Sequence, residues 1–175
     1  LNAVGQTAIW KDVRDFIKTD KTYRDAKVDW ILSEDLLLKG FKGAESTLFI
    51  TQGFIGADEN NRSTTLGREG SDYTAAILAN ALNAKKVVVW KDVPGYLNAD
   101  PDYFEDTVKL DKISYQESIE LAFYGAKIIH PKTIRPLKNK DIPLLVKSFL
   151  NPEADGSIIH KDISRDALVP SYIVK

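Results

Sequence analysis

The stretch Thr64-Thr65-Leu66-Gly67-Arg68-Glu69-Gly70-Ser71-Asp72-Tyr73-Thr74-Ala75-Ala76 reads as a glycine-bracketed loop running into a helix. The helix continues through Ile77-Leu78-Ala79-Asn80-Ala81-Leu82, a strong helix-forming run with few large side chains. Ser71 or Asp72 is expected at its N-cap, because either side-chain oxygen accepts from an unpaired first-turn N–H. Gly67 and Gly70 allow positive φ or a close approach of backbone to ligand. Arg68 offers a planar fork of donors suited to a carboxylate or a phosphate. A helix N-terminus, two glycines and an arginine together describe an anion site. The plainer alternative is a capped helix with a surface arginine. Two glycines bracketing Arg68-Glu69 exceed what a cap needs, and the loop follows a buried-looking strand.

Upstream, Leu48-Phe49-Ile50-Thr51 is a short apolar run between turn signals, as expected of a buried parallel strand. Gln52-Gly53-Phe54-Ile55-Gly56 leaves its C-terminal end, where open α/β sheets place ligands. Asp58-Glu59-Asn60-Asn61-Arg62 reads as a solvated turn. Nearer the start, Ala8-Ile9-Trp10 and then Val13 to Ile17 are expected as a short helical segment followed by a strand, with a polar loop over Lys18 to Thr22. Ala26 to Lys39 is helical in pattern. Val28, Ile31, Leu32, Leu36 and Leu37 form its apolar stripe, and Gly40 is its stop.

Downstream, Val87-Val88-Val89-Trp90 is the clearest strand, β-branched and bounded by charged residues. Val93-Pro94-Gly95 turns the chain at its end. Ser114-Tyr115-Gln116-Glu117 is a capping box that opens a helix over Ile119, Leu121, Ala122 and Phe123, with Gly125 to stop it. Pro131 begins a further helix through Leu137, and Leu144 to Phe149 returns as a strand. From Asn151, Asn-Pro and Asp-Gly predict a hairpin or loop, and then an exit linker. Strands alternating with helices at this spacing predict an α/β fold with a mainly parallel sheet covered on both faces.

Composition narrows the function. At 175 residues the chain fits one domain of ordinary size. Its net charge of −1 argues against electrostatic capture of nucleic acid or an anionic membrane. The absence of cysteine excludes disulfides, thiolate catalysis and Cys-based zinc sites. Two well-separated histidines do not make a metal site. No apolar run is long enough to span a bilayer and no signal peptide opens the chain, so a cytoplasmic address is expected. The chain also holds no methionine and opens in mid-pattern on Leu1-Asn2-Ala3-Val4, which suggests a piece of a longer protein.

Leu66-Gly67-Arg68-Glu69-Gly70-Ser71-Asp72-Tyr73-Thr74-Ala75 closely resembles the aspartokinase signature of the amino-acid kinase family. Three further blocks agree, in the family's order. They are Phe54-Ile55-Gly56-Ala57, then Trp90-Lys91-Asp92-Val93-Pro94-Gly95-Tyr96 to Asp100-Pro101, then Gly125-Ala126-Lys127-Ile128-Ile129-His130-Pro131-Lys132-Thr133. Ser114 to Leu121 is most similar to the subgroup fused to homoserine dehydrogenase. The resemblance covers most of the chain between Thr47 and Ile159.

The resemblance implies a three-layer αβα, carbamate-kinase-like fold, incomplete at its N-terminus because no Lys-Phe-Gly-Gly-type phosphate loop occurs. Residues 1–160 would be the C-terminal, nucleotide-binding portion of the catalytic domain, and 161–175 an exit linker towards regulatory domains. The implied reaction moves the γ-phosphoryl group of ATP, with Mg2+, onto the side-chain carboxylate of L-aspartate, the first step towards lysine, threonine and methionine. Such a fragment is expected to be inactive alone and the full-length protein to be a homo-oligomer. NADP enters only if a dehydrogenase domain follows. Another amino-acid kinase (acting on glutamate, N-acetylglutamate or uridylate) or a non-catalytic nucleotide-binding module remains open.

By the same resemblance, Arg68 would clamp the α-carboxylate of aspartate, Asp72 would receive its ammonium, and Ser71 would add a hydroxyl or backbone contact. Lys91, Asp92, Gly95, Tyr96 and Lys127 would meet the nucleotide, with Tyr96 otherwise an ordinary core or rim aromatic. Lys91 departs from the family's usual threonine, and Asp102 from its usual arginine. An acid beside phosphates repels them, so Asp102 receives no role. His130, placed before a proline, is expected to be structural.

Overall fold

A computed structural model describes residues 5, 7–43, 48–123, 125–126 and 128–161. Two compact units, Leu1–Leu82 and Asn83–Lys175, follow one another along the chain.

In the first unit, β1 (Ala8–Trp10) and β2 (Leu48–Ile50) pair in parallel, Ala8 opposite Leu48 and Trp10 opposite Ile50. The opening therefore reverses the expected order: the strand comes first and a 3-10 turn, Val13–Asp15, follows. Asp12 caps that turn by accepting from the Arg14 N–H, and Gln52 Oε1 accepts from the Val13 N–H, so the donors that a strand ladder would need here are already used. The β2 strand is parallel as expected but not buried. Leu48 and Ile50 are exposed, because among the described residues β2 pairs only with β1.

Helix α1 spans Trp30–Gly40, starting later than the pattern from Ala26 suggested. Asp29 fixes the start by accepting from the Leu32 N–H at 3.0 Å, and Val28 is held in a bridge with Thr19. Only part of the expected apolar stripe is buried: Leu37 lies in the core with Val28 packed against it and Ser33 is buried beside them, whereas Ile31 is 87% exposed and Leu32 is exposed. The buried Ser33 hydroxyl is satisfied there, accepting from the Lys18 N–H at 2.9 Å. Gly40 ends the helix where a Cβ would fall 2.2 Å from the Phe16 ring.

The strands β3 (Ile55–Ala57) and β4 (Ser63–Thr65) form an antiparallel hairpin. Its turn is more than a solvated connector. Asp58 is fully buried and accepts from the Asn60 and Arg62 N–H groups and from the Arg62 guanidinium. Burial alone would raise its pKa, but those donors prevail and the net shift is downward. Helix α2 (Gly70–Ala81) packs against α1. Val13, Ile17, Leu37, Leu66, Tyr73, Ile77 and Ala81 form the unit's core.

The second unit is built on a four-stranded sheet. Its elements are β5 (Val87–Lys91), β6 (Tyr96–Leu97), β7 (Lys109–Leu110), β8 (Lys112–Ser114), α3 (Tyr115–Phe123), α4 (Pro131–Asn139), β9 (Leu144–Ser148) and β10 (Ser157–His160). The sheet order is β5-β9-β10-β8. β5 runs parallel to β9 and β10 parallel to β8, and only the β9–β10 hairpin is antiparallel, so the sheet is mainly parallel as expected. The capping box is present in both directions: Glu117 Oε2 accepts from the Ser114 N–H at 2.9 Å, and Ser114 Oγ accepts from the Glu117 N–H at 3.1 Å. Gly125 follows α3 at φ 113°, a conformation that stops a helix. His130 is structural as expected, accepting the Lys132 N–H on Nδ1 as the N-cap of α4. Tyr115 is buried with its hydroxyl donating to the Ile142 carbonyl at 2.6 Å. Burial first, and Asp141 second, push that hydroxyl up to about 12.

Candidate functional site

The signature loop turns through two left-handed residues, Gly67 at φ 81° and Glu69 at φ 53°. Gly67 needs its missing side chain twice over, because a Cβ there would lie 2.2 Å from the Asp25 carboxylate. The Gly70 N–H donates back to the Gly67 carbonyl at 3.1 Å and the helix begins at Gly70. Its N-cap is thus Glu69, which makes no side-chain cap bond, and not Ser71 or Asp72. The left-handed turn starts the helix earlier than expected and carries both residues into its first turn. Asp72 there complements the positive end of the helix. Arg68 and Ser71 are exposed and Asp72 is partly buried, so three expected acceptor-binding side chains share one helix mouth. One Glu69 carboxylate oxygen is enclosed and has no hydrogen-bond partner.

A second loop braces this mouth. Gly53 sits so close to it that a Cβ would lie 3.0 Å from the Ser71 Cα. Phe54 follows at φ 76°, its N–H donating to Thr74 Oγ1 at 3.0 Å and its carbonyl accepting from the Leu66 N–H at 2.8 Å. The Phe54 side chain is 41% exposed. A large exposed aromatic in a left-handed conformation is strained, and such strain concentrates at functional sites. Sequence reading placed Phe54 in a matching block without a role, because nothing in its neighbours announces the positive φ.

The expected nucleotide residues lie in the second unit. Lys91 closes β5, its carbonyl accepting from the Phe149 N–H at 2.9 Å, and Asp92 is exposed just beyond. At Gly95, φ is 143° and a Cβ would fall 2.3 Å from Ser157 Oγ. Tyr96 is 1% exposed, its N–H donating to Ser157 Oγ at 2.8 Å and its hydroxyl 2.6 Å from Ser118 Oγ. Lys127 lies outside the described residues. Asp102 is exposed, and its N–H donates to Asp100 Oδ1 in a local turn. Among the described residues no three His, Asp or Glu side chains converge to hold a metal ion, and no helix is long and apolar enough to cross a membrane.

Known proteins are similar to this chain in sequence and in fold. The lysine-sensitive aspartokinase 3 of Escherichia coli (strain K12) is 42% identical over 153 residues, covering 87% of this chain and 34% of the relative. A bifunctional aspartokinase/homoserine dehydrogenase of Haemophilus influenzae is 41% identical over 125 residues, 71% of this chain and 15% of the relative. The chain thus spans about a third or less of the length of these curated relatives. The structure of E. coli aspartokinase III in complex with aspartate and ADP (R-state) matches with a TM-score of 0.88 at 38% identity, over 93% of this chain and 37% of that one. With its α/β fold, its glycine-bracketed helix mouth and a family match over residues 1–148, the chain belongs to the amino acid kinase family.

Proposed function

We propose that this chain forms the C-terminal part of the catalytic domain of an aspartate kinase, which phosphorylates the side-chain carboxylate of L-aspartate with ATP. The observation that carries the reading is the match, at TM-score 0.88, to an aspartokinase whose structure holds aspartate and ADP. In the reaction a carboxylate oxygen forms a bond to the γ-phosphorus, the bond to the β,γ-bridging oxygen breaks, and ADP leaves. The attacking carboxylate is already ionised at neutral pH, so no strong base is required. The difficulty is bringing one anion to another, and catalysis is mainly positioning and charge neutralisation.

The exposed Arg68 clamps the α-carboxylate as a bidentate pair, Asp72 takes the ammonium, and Ser71 offers its hydroxyl. The positive end of α2 adds to the attraction. Lys91, Asp92 and Gly95 meet the nucleotide, joined by Lys127 and by the backbone at Tyr96, whose hydroxyl is already committed to Ser118. Magnesium comes with ATP, held mainly by phosphate oxygens and water. We assign the full-length protein to the cytoplasm and to a homo-oligomer. The test is a panel of acceptors offered to the full-length protein with ATP: aspartate, glutamate, N-acetylglutamate and uridylate. Phosphorylation of aspartate above the other three is expected, and a preference for any other acceptor overturns the reading.

A further inference from the structure

We infer that Asp12 and Gln52 are positioning residues for the amino-acid side of the site, fixing the loop on which the first turn of α2 rests. This rests on the aspartate-kinase reading and adds two residues that have no role in it. Asp12 follows β1 and Gln52 follows β2, at the C-terminal ends of two parallel strands. Gln52 Nε2 donates to Asp12 Oδ1 at 2.6 Å. Gln52 Oε1 accepts from the Val13 N–H at 3.1 Å and from the Thr51 hydroxyl at 3.2 Å, so both ends of the amide are committed. Asp12 also receives the Arg14 guanidinium, through Nε at 3.0 Å and Nη2 at 2.5 Å. Arg14 Nη1 reaches Ser63 Oγ on β4 at 3.0 Å.

One carboxylate thus ties together the ends of two strands and the neighbouring hairpin. The next residue after Gln52 is Gly53, placed so near Ser71 that a Cβ would lie 3.0 Å from the Ser71 Cα, and then Phe54, whose N–H donates to Thr74 Oγ1. A shift at Gln52 therefore passes through one peptide to the turn that carries Arg68, Ser71 and Asp72. Errors of about an ångström in such placement cost rate and affinity by large factors. The nucleotide residues belong to the other unit, so the loss falls on aspartate.

The experiment is steady-state kinetics of the full-length protein and its Gln52→Leu, Asp12→Ala, Asp12→Asn and Arg68→Ala variants, with melting curves for each. Gln52→Leu and Asp12→Ala should raise the KM for aspartate about tenfold while the KM for ATP stays within about twofold. Asp12→Asn keeps an oxygen for the Gln52 amide and should recover most of the loss. A lowered melting temperature with both KM values unchanged, or equal rises in both, overturns the inference. If Gln52→Leu does not fold, the contrast between Asp12→Ala and Asp12→Asn decides by the same criteria. If Arg68→Ala alone moves the aspartate KM, only this inference fails. If no variant moves it, the aspartate reading fails as well.

Discussion

The hydroxyls of Tyr96 and Ser118 lie 2.6 Å apart in a place that excludes water, the two residues being 1% and 0% exposed. A buried hydroxyl that loses its partner cannot fall back on solvent. Tyr96→Phe should therefore cost about 1–2 kcal/mol in urea denaturation. Combined with Ser118→Ala, the loss should be smaller than the sum of the single losses. Strict additivity would show that the two groups do not depend on each other.

Arg68 is exposed at the mouth of α2, where the proposed function gives it the α-carboxylate of aspartate. Arg68→Ala should raise the aspartate KM of the full-length protein by about tenfold to a hundredfold, the range set by charge-assisted hydrogen bonds of about 1.5–3 kcal/mol. The KM for ATP should change little. An unaltered aspartate KM would remove Arg68 from the acceptor site.

Glu69 carries two local costs, a left-handed φ of 53° and an enclosed carboxylate oxygen without a partner. Glu69→Gly removes both and gives back part of the gain as backbone entropy. The variant should gain about 1 kcal/mol of stability. A less stable variant would mean that Glu69 has a favourable interaction in the folded state after all.

The Arg14 guanidinium, with smaller help from the Arg14 N–H and Gln52, holds the Asp12 carboxyl at about 2, below its ordinary 3.8. A pKa depressed by folding stabilises the native state when the group is ionised. The contribution is complete above pH 3.8 and is lost as the pH falls through 2. Asp12→Asn should accordingly flatten the acid limb of the stability curve in that window. Parallel limbs for the two proteins would sink the assignment.

What the sequence made legible were the features carried by short local rules. The capping box at Ser114 and Glu117 needs only two side chains at the right spacing, and it appears as read. The β5 strand likewise announces itself through its β-branched run, and of the hairpin or loop expected from Asn151 the structure has the hairpin, between β9 and β10. Errors came where a distant partner decides. On α1, Leu37 of the apolar stripe is buried as read, but Ser33 is buried beside it through its bond to the Lys18 N–H while Ile31 and Leu32 are exposed. The start of α2 was misplaced because a non-glycine residue, Glu69, takes the left-handed conformation that the reading reserved for glycines. Asp12 and Gln52 lie forty positions apart in the chain, and no local pattern joins them. Arg68, Ser71 and Asp72 stand together at one helix mouth, as their block places them, but the Asp12–Gln52 contact had no signal in the sequence.

Asp58 gives the tip of the β3–β4 hairpin a character its polar letters hide. With the carboxylate walled in and claimed by Asn60 and Arg62, that tip is a rivet. Splicing a peptide tag between Glu59 and Asn60 would have to pull out a sealed anion. The bend at Asn151-Pro152-Glu153, exposed along its length, is the place where an engineer can cut and insert.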